Sequence, residues 1–96
     1  MNIFISDEAS QWFEDELGLK KGDHVRFYVR YGGCGSIQSG FSLGISKDQP
    51  DQIGASLLKN DILYYVEEKD IWYFDSHDLE VTYNKKQDEV EFHYKK

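Results

Sequence analysis

The residue most able to do chemistry is Cys34, the only cysteine, set in Gly32-Gly33-Cys34-Gly35-Ser36. A thiolate is both a nucleophile and a ligand for soft metals. Glycines beside it permit positive φ and leave room at the sulfur. Backbone N–H groups in such a turn can stabilise a negatively charged sulfur or cluster. A nucleophilic cysteine also needs a base held close by, and His24, His77 and His93 are the candidates. His24 starts the strand before the Cys turn and lies at its far end, about seven rises of roughly 3.3 Å away, so it would have to come from a neighbouring chain. The cluster Asp75-Ser76-His77-Asp78 has the donors for a divalent cation, yet three of its four residues are also ordinary turn formers. His93 alternates to the outer face of the last strand, where a solvated imidazole is expected. Asp61, Glu67, Glu68 and Asp70 make an acidic stretch. It reads as exposed charge at a turn, or as a patch for a basic partner. Arg26 and Arg30 flank Tyr28 and are expected to form salt bridges to neighbouring strands rather than to bind an anion.

These residues are positioned by one helix and a series of strands. Asn2 to Ile5 reads as an extended lead-in. Ser6 or Asp7 caps a helix to about Leu17, with Asp7 and Glu8 at its positive end and Gly18 as its stop. Ala9, Trp12, Phe13 and Leu17 form its apolar face, which is expected to pack on a sheet. Lys20-Lys21-Gly22-Asp23 is a turn. Val25, Phe27, Val29 and Tyr31 then alternate with Arg26, Tyr28 and Arg30, the clearest strand in the chain. After the cysteine turn, Ile37, Ser39, Phe41, Leu43 and Ile45 share one face. The opposite face, Gln38, Gly40, Ser42, Gly44 and Ser46, is small or polar, so it is either packed closely or solvated. Lys47 to Gly54 is a surface loop around Pro50. Ile62 to Val66 and Ile71 to Phe74 read as strands flanking a hairpin turn at Glu67 to Asp70. Leu79 to Tyr83 and Val90 to Tyr94 flank a second turn. The expected architecture is a β-rich α+β domain spanning residues 1–96, with the N-terminal helix packed on a mixed sheet or sandwich of short strands.

The segment Val25 to Ile45, VRFYVRYGGCGSIQSGFSLGI, resembles the core of the HesB-like, A-type iron–sulfur carrier family. There, too, a strand ends in a Gly-Gly-Cys turn and a second strand follows. Gly32, Gly33 and Cys34 match, while Gly35-Ser36 stands where Ser-Gly is more usual. The resemblance implies a HesB-like fold and a non-enzymatic role in iron–sulfur cluster assembly. Cys34 would be the metal or cofactor ligand, for an iron–sulfur cluster, iron or no cofactor at all. The family's C-terminal Cys-Gly-Cys is missing here. An iron–sulfur cluster normally takes four protein ligands, and one cysteine per chain supplies two at most in a dimer. The site is therefore shared or incomplete. The alternative is a protein-interaction module on the same scaffold that has lost cluster binding. A protein partner or a homodimer is expected in either case.

Composition narrows the partners further. The chain has 96 residues, 40% hydrophobic and 30% charged, with a formal charge of −7. That sign repels a phosphate backbone, so nucleic acid is not an expected partner. No stretch approaches the roughly 18 apolar residues of a membrane helix. A single cysteine and an N-terminal MNIFISDEAS without basic residues fit a cytoplasmic setting.

Overall fold

A computed structural model describes residues 1–33 and 37–96; Cys34 lies outside the described residues. The elements in chain order are β1 (Ile3–Ile5), α1 (Asp7–Leu17), β2 (His24–Tyr31), β3 (Phe41–Lys47), β4 (Ile53–Lys59) and β5 (Ile62–Glu67). A 3-10 helix (Glu68–Phe74), β6 (Asp78–Asn84) and β7 (Glu89–Lys95) complete the set.

The strands form two mixed sheets, one with the order β1-β6-β7 and one with the order β3-β2-β5-β4. In the first, β1 is parallel to β6 and β6 antiparallel to β7. In the second, a parallel β2–β5 pair lies between antiparallel outer pairs. The architecture is α+β and strand-rich, as expected.

Helix α1 begins and ends on the residues its sequence marks. The Ser6 hydroxyl accepts from the Ala9 N–H at 3.1 Å. Gly18 takes φ +60°, where a side chain would be strained, and its N–H closes on the Glu14 carbonyl. Ala9 and Phe13 are fully buried, and Trp12 and Leu17 pack at the edge of the core. The Phe13 ring meets Phe27 of β2 at 5.8 Å and Tyr64 of β5 at 5.6 Å. Phe27 in turn meets Phe92 of β7 at 5.9 Å, edge to face, and so ties the two sheets together. The buried cluster draws on β1, α1, β2, β4, β5, the 3-10 helix and β6, with side chains of β3 and β7 packed against it.

Three expectations fail in the second half of the hairpin region and beyond. The strand after the cysteine turn starts at Phe41, not Ile37. Gly40 turns with φ +83°, and its carbonyl accepts from the Gly32 N–H at 2.6 Å, closing the turn before the ladder begins. The loop read over Lys47 to Gly54 ends early, and Ile53–Lys59 is a full strand paired with β5. Its burial pattern is irregular because a register shift falls between Ile53 and Ala55. Ile71 to Phe74 is not a strand but the end of the 3-10 helix. Over four residues an apolar run cannot distinguish the two. Tyr73 and Phe74 enter the core, while Ile71 lies against Gly54, where a Cβ would stand 2.5 Å from its Cγ1. Gly54 thus lets the 3-10 helix approach β4.

The small face of β3 is packed closely at Gly44. Tyr28 and Arg30 fold over Gly44, where a Cβ would sit 2.7 Å from the tyrosine hydroxyl and 2.8 Å from Arg30 Cδ.

Two outcomes follow from this core. Phe27→Ala removes the ring shared by both sheets and should cost about 3–5 kcal/mol in denaturant unfolding. Burial, reinforced by the Tyr73 hydroxyl 3.5 Å away, holds the Tyr94 phenol well above the usual tyrosine range, and burial also raises Tyr64. A raised folded-state pKa contributes stability that is complete below the unfolded value of about 10 and is lost as pH rises beyond it. Tyrosinate absorbance should therefore appear in two phases, exposed rings first and Tyr94 only together with alkaline unfolding. A single early phase counting all seven tyrosines would contradict this.

Candidate functional site

The core stripe of β2 outruns the core. Val25 and Phe27 are buried, Val29 is half-buried, and Tyr31 on the same face is 92% exposed. The facing strand follows the same gradient through the pairs Phe27↔Ile45, Val29↔Leu43 and Tyr31↔Phe41. Tyr31 meets Phe41 edge to face at 5.7 Å, and Phe41 meets Trp72 of the 3-10 helix at 5.3 Å. Trp72 is itself 52% exposed, and its other neighbour, Tyr73, is fully buried. An aromatic series thus runs from the core to the surface beside the glycine-rich turn. Within that turn Gly32 and Gly33 both take positive φ, and the Ser42 hydroxyl donates to the Gly32 carbonyl at 3.1 Å.

The 3-10 helix that presents Trp72 is anchored by Asp70. Its Oδ2 accepts from Arg26 Nη2 at 3.2 Å and from the Val29 N–H at 3.4 Å. β5 pairs with β2 only as far as Arg26, so the carboxylate takes a donor that the departing strand leaves free. Both side chains are largely buried. The expected salt bridge of Arg26 is present, but its partner lies on the 3-10 helix rather than on a strand. Arg26 also lies over the Tyr28 ring at 5.8 Å.

The acidic stretch is not one exposed patch. Glu67 is 5% exposed and accepts from the Asp51 and Gln52 N–H groups. Asp70 is buried as described, and only Asp61 and Glu68 are exposed. Burial of Glu67 and Asp70 rests on backbone donors from β2 and the loop before β4, partners that a linear pattern does not reveal.

The histidines are dispersed. His24 starts β2, and its carbonyl accepts from the Asp48 N–H. His77 directs Nδ1 at the Phe74 and Asp75 carbonyls, 2.8 and 3.0 Å away, so Nδ1 carries the proton. Asp78 is engaged with the Asn2 N–H at 2.8 Å, and Asp75 and Ser76 form a positive-φ turn. The turn reading of Asp75-Ser76-His77-Asp78 is the one these contacts favour. His93 lies on the outer face of β7, with Nε2 3.0 Å from the Thr82 hydroxyl. Among the described residues, no group of three or more His, Cys, Asp or Glu could hold a metal ion. A groove of about 380 Å³ beside α1 is lined by Glu8, Trp12, Asp15, Glu16, Tyr83 and Asp88. Its Trp12 and Tyr83 donors are both spent on Asp88.

The fold and this surface define a strand-rich α+β protein with an exposed aromatic end. The chain is 49% identical over 94 residues to a Bacillus subtilis (strain 168) protein named Pyruvate dehydrogenase inhibitor, a match spanning 98% of this chain and 99% of the relative. It is 38% identical over 95 residues to an uncharacterized protein of Staphylococcus saprophyticus, covering 96% and 97% of the two chains. An uncharacterized Staphylococcus haemolyticus protein is 37% identical over 97 residues, covering 88% of this chain and 98% of that one. The chain belongs to the family of these proteins. No family profile matches it.

These matches overturn the HesB-like assignment and, with it, the role in iron–sulfur cluster assembly and metal binding. The resemblance rested on Gly32-Gly33-Cys34, and the full-length similarity leads elsewhere. A glycine-rich turn with φ of +99° and +86° at Gly32 and Gly33 is what this connection between β2 and β3 requires. Such a turn does not specify a cluster. No helix among the described residues is long and apolar enough to cross a membrane.

The Asp70 anchor has a measurable consequence. Asp70→Asn leaves the Arg26 guanidinium largely buried without its counter-charge and should cost about 3 kcal/mol. Urea unfolding monitored by circular dichroism checks this, and a loss within experimental error would show that the anchor is dispensable.

Proposed function

We propose that this chain is a non-enzymatic regulator that binds pyruvate dehydrogenase and lowers its activity. The observation that carries the reading is the 49% identity, over 98% of the chain, to a protein bearing the name Pyruvate dehydrogenase inhibitor. The surface supports it. Tyr31 and Trp72 are large apolar side chains held in the open by Phe41, and tyrosine and tryptophan are the residues most often found to dominate binding energy at protein interfaces. Inhibition through such a surface needs no reacting group on the inhibitor. It needs area and a fixed shape, which the β2–β3 ladder and the Asp70 anchor provide.

The experiment titrates purified chain into Bacillus subtilis pyruvate dehydrogenase and follows its rate. Inhibition is expected, and Tyr31→Ala with Trp72→Ala should weaken it by roughly tenfold or more while circular dichroism shows the chain still folded. Full activity of the enzyme at saturating chain would overturn the reading. Unaltered inhibition by the double variant would move the contact elsewhere on the molecule.

A further inference from the structure

Strand β7 ends its sheet, and the direction of its free backbone groups follows from the other edge. The Leu79 N–H donates to the Asn2 carbonyl at 2.9 Å, and the Val81 carbonyl accepts from the Ser6 N–H at 3.0 Å. Leu79 and Val81 therefore turn their backbone groups toward β1, and Asp78, Glu80 and Thr82 turn theirs toward β7. Their register partners are Lys95, His93 and Glu91. The intervening residues Val90, Phe92 and Tyr94 must then point N–H and C=O away from β6, to the open edge. Among the described residues nothing answers them. A groove of about 580 Å³ runs along this edge, lined by Ile37, His77, Phe92, His93, Tyr94 and Lys95.

The side chains of the same strand select an occupant. Phe92 and Tyr94 point inward, to Phe27 and Tyr73. The outer face reads Glu89, Glu91, His93, Lys95. Two copies of β7 laid antiparallel and centred on Phe92 overlap over all seven residues. Glu89 then faces Lys95, and Glu91 faces His93, each pair occurring twice. Val90, Phe92 and Tyr94 of one copy meet Tyr94, Phe92 and Val90 of the other, so the open donors and acceptors coincide. Recentring on Glu91 sets that carboxylate against its own copy, and recentring on His93 shortens the overlap to residues 91–95 and loses the Glu89–Lys95 pairs. Recentring on Val90 sets Glu89 against Glu91, and on Tyr94 it leaves only residues 93–95 overlapped. Like charges directly opposite are destabilising and opposite ones favourable, so the register centred on Phe92 is the one that combines full overlap with a Glu89–Lys95 pair at both ends. Edge strands are commonly defended by charge, and here the defence admits a copy of itself. Within the chain Lys95 also holds Glu80 at 3.1 Å, Glu91 accepts from Asn84, and His93 contacts Thr82. All of these partners lie on the β6 side.

We infer that the occupant of this edge is a second copy of the chain, giving a two-fold dimer whose sheet runs β1-β6-β7 into the partner's β7-β6-β1. This surface lies on a different sheet from Tyr31 and Phe41, and the inference does not rest on the inhibitor reading.

The test uses the full chain in analytical ultracentrifugation over a concentration series, with Glu89→Lys and Lys95→Glu variants. Wild type should dimerise. Each variant alone places like charges at both ends of the strand pair and should weaken the dimer by roughly tenfold. Mixing the two variants restores both ion pairs, so the heterodimer should form about as well as wild type, an outcome that damage to the fold cannot produce. Amide exchange at Val90, Phe92 and Tyr94 should slow as the dimer fills. A chain that stays monomeric throughout the series, or a mixture no tighter than its components, would overturn the inference. Protection of those amides only on adding pyruvate dehydrogenase, with the chain still monomeric, would assign the edge to that partner and overturn it equally.

Discussion

The contact between Asp70 and β2 holds the structure in its particular shape. One carboxylate oxygen meets the Arg26 guanidinium and the Val29 amide, and through it the 3-10 helix becomes part of the sheet. β5 leaves β2 after Arg26, so without this contact the far half of β2 would show unpaired donors to whatever lay beside it. With it, Tyr73 and Phe74 are delivered to the core and Trp72 to the surface. A single buried charge pair is usually weak evidence for stability. Here its effect is geometric, since it decides where an aromatic segment sits.

The aromatic series makes interior and surface continuous. Tyr94, Tyr73, Trp72, Phe41 and Tyr31 touch in order through edge-on contacts of 5.3–6.2 Å. The exposed end is therefore joined to the core by an unbroken series of ring contacts. Side chains ordered before binding lose little rotamer freedom on binding, which is the property a recognition surface needs.

The legible parts of the sequence were those governed by local periodicity. Val25 to Tyr31 alternates over a full strand and was readable as one, and the Ser6 and Gly18 caps mark α1 at both ends. The face shared by Phe41, Leu43 and Ile45 was readable for the same reason. Ile71 to Phe74 was misread because a short run of bulky apolar residues suits a buried strand and a 3-10 turn equally. Ile53–Lys59 was missed because its pattern is broken at a bulge and flanked by Gly54 and Pro50. At the candidate site, Tyr31 was assigned to a core face that is real but extends past the core, so its exposure depends on where β5 and the second sheet stop. That is a tertiary fact. The Gly-Gly-Cys turn suggested a family on the strength of three residues. Full-length similarity weighs all positions, and it pointed away from the motif.

The parallel pairing of β1 with β6 sets the order in which the molecule can be assembled. Ile3 lies against Leu79, and the Asn2 amide reaches a carboxylate 76 residues further along. A strand made early thus has no partner until nearly the whole chain exists. The four-stranded sheet, whose strands lie between His24 and Glu67, can close first. Non-local closure of this kind slows folding, because chain entropy is lost before the contacts that offset it are made. In the finished fold α1 packs its backbone against β6 and β7 and sends Phe13 across to Phe27 and Tyr64, so the helix reaches both the sheet that can close early and the one that must close late.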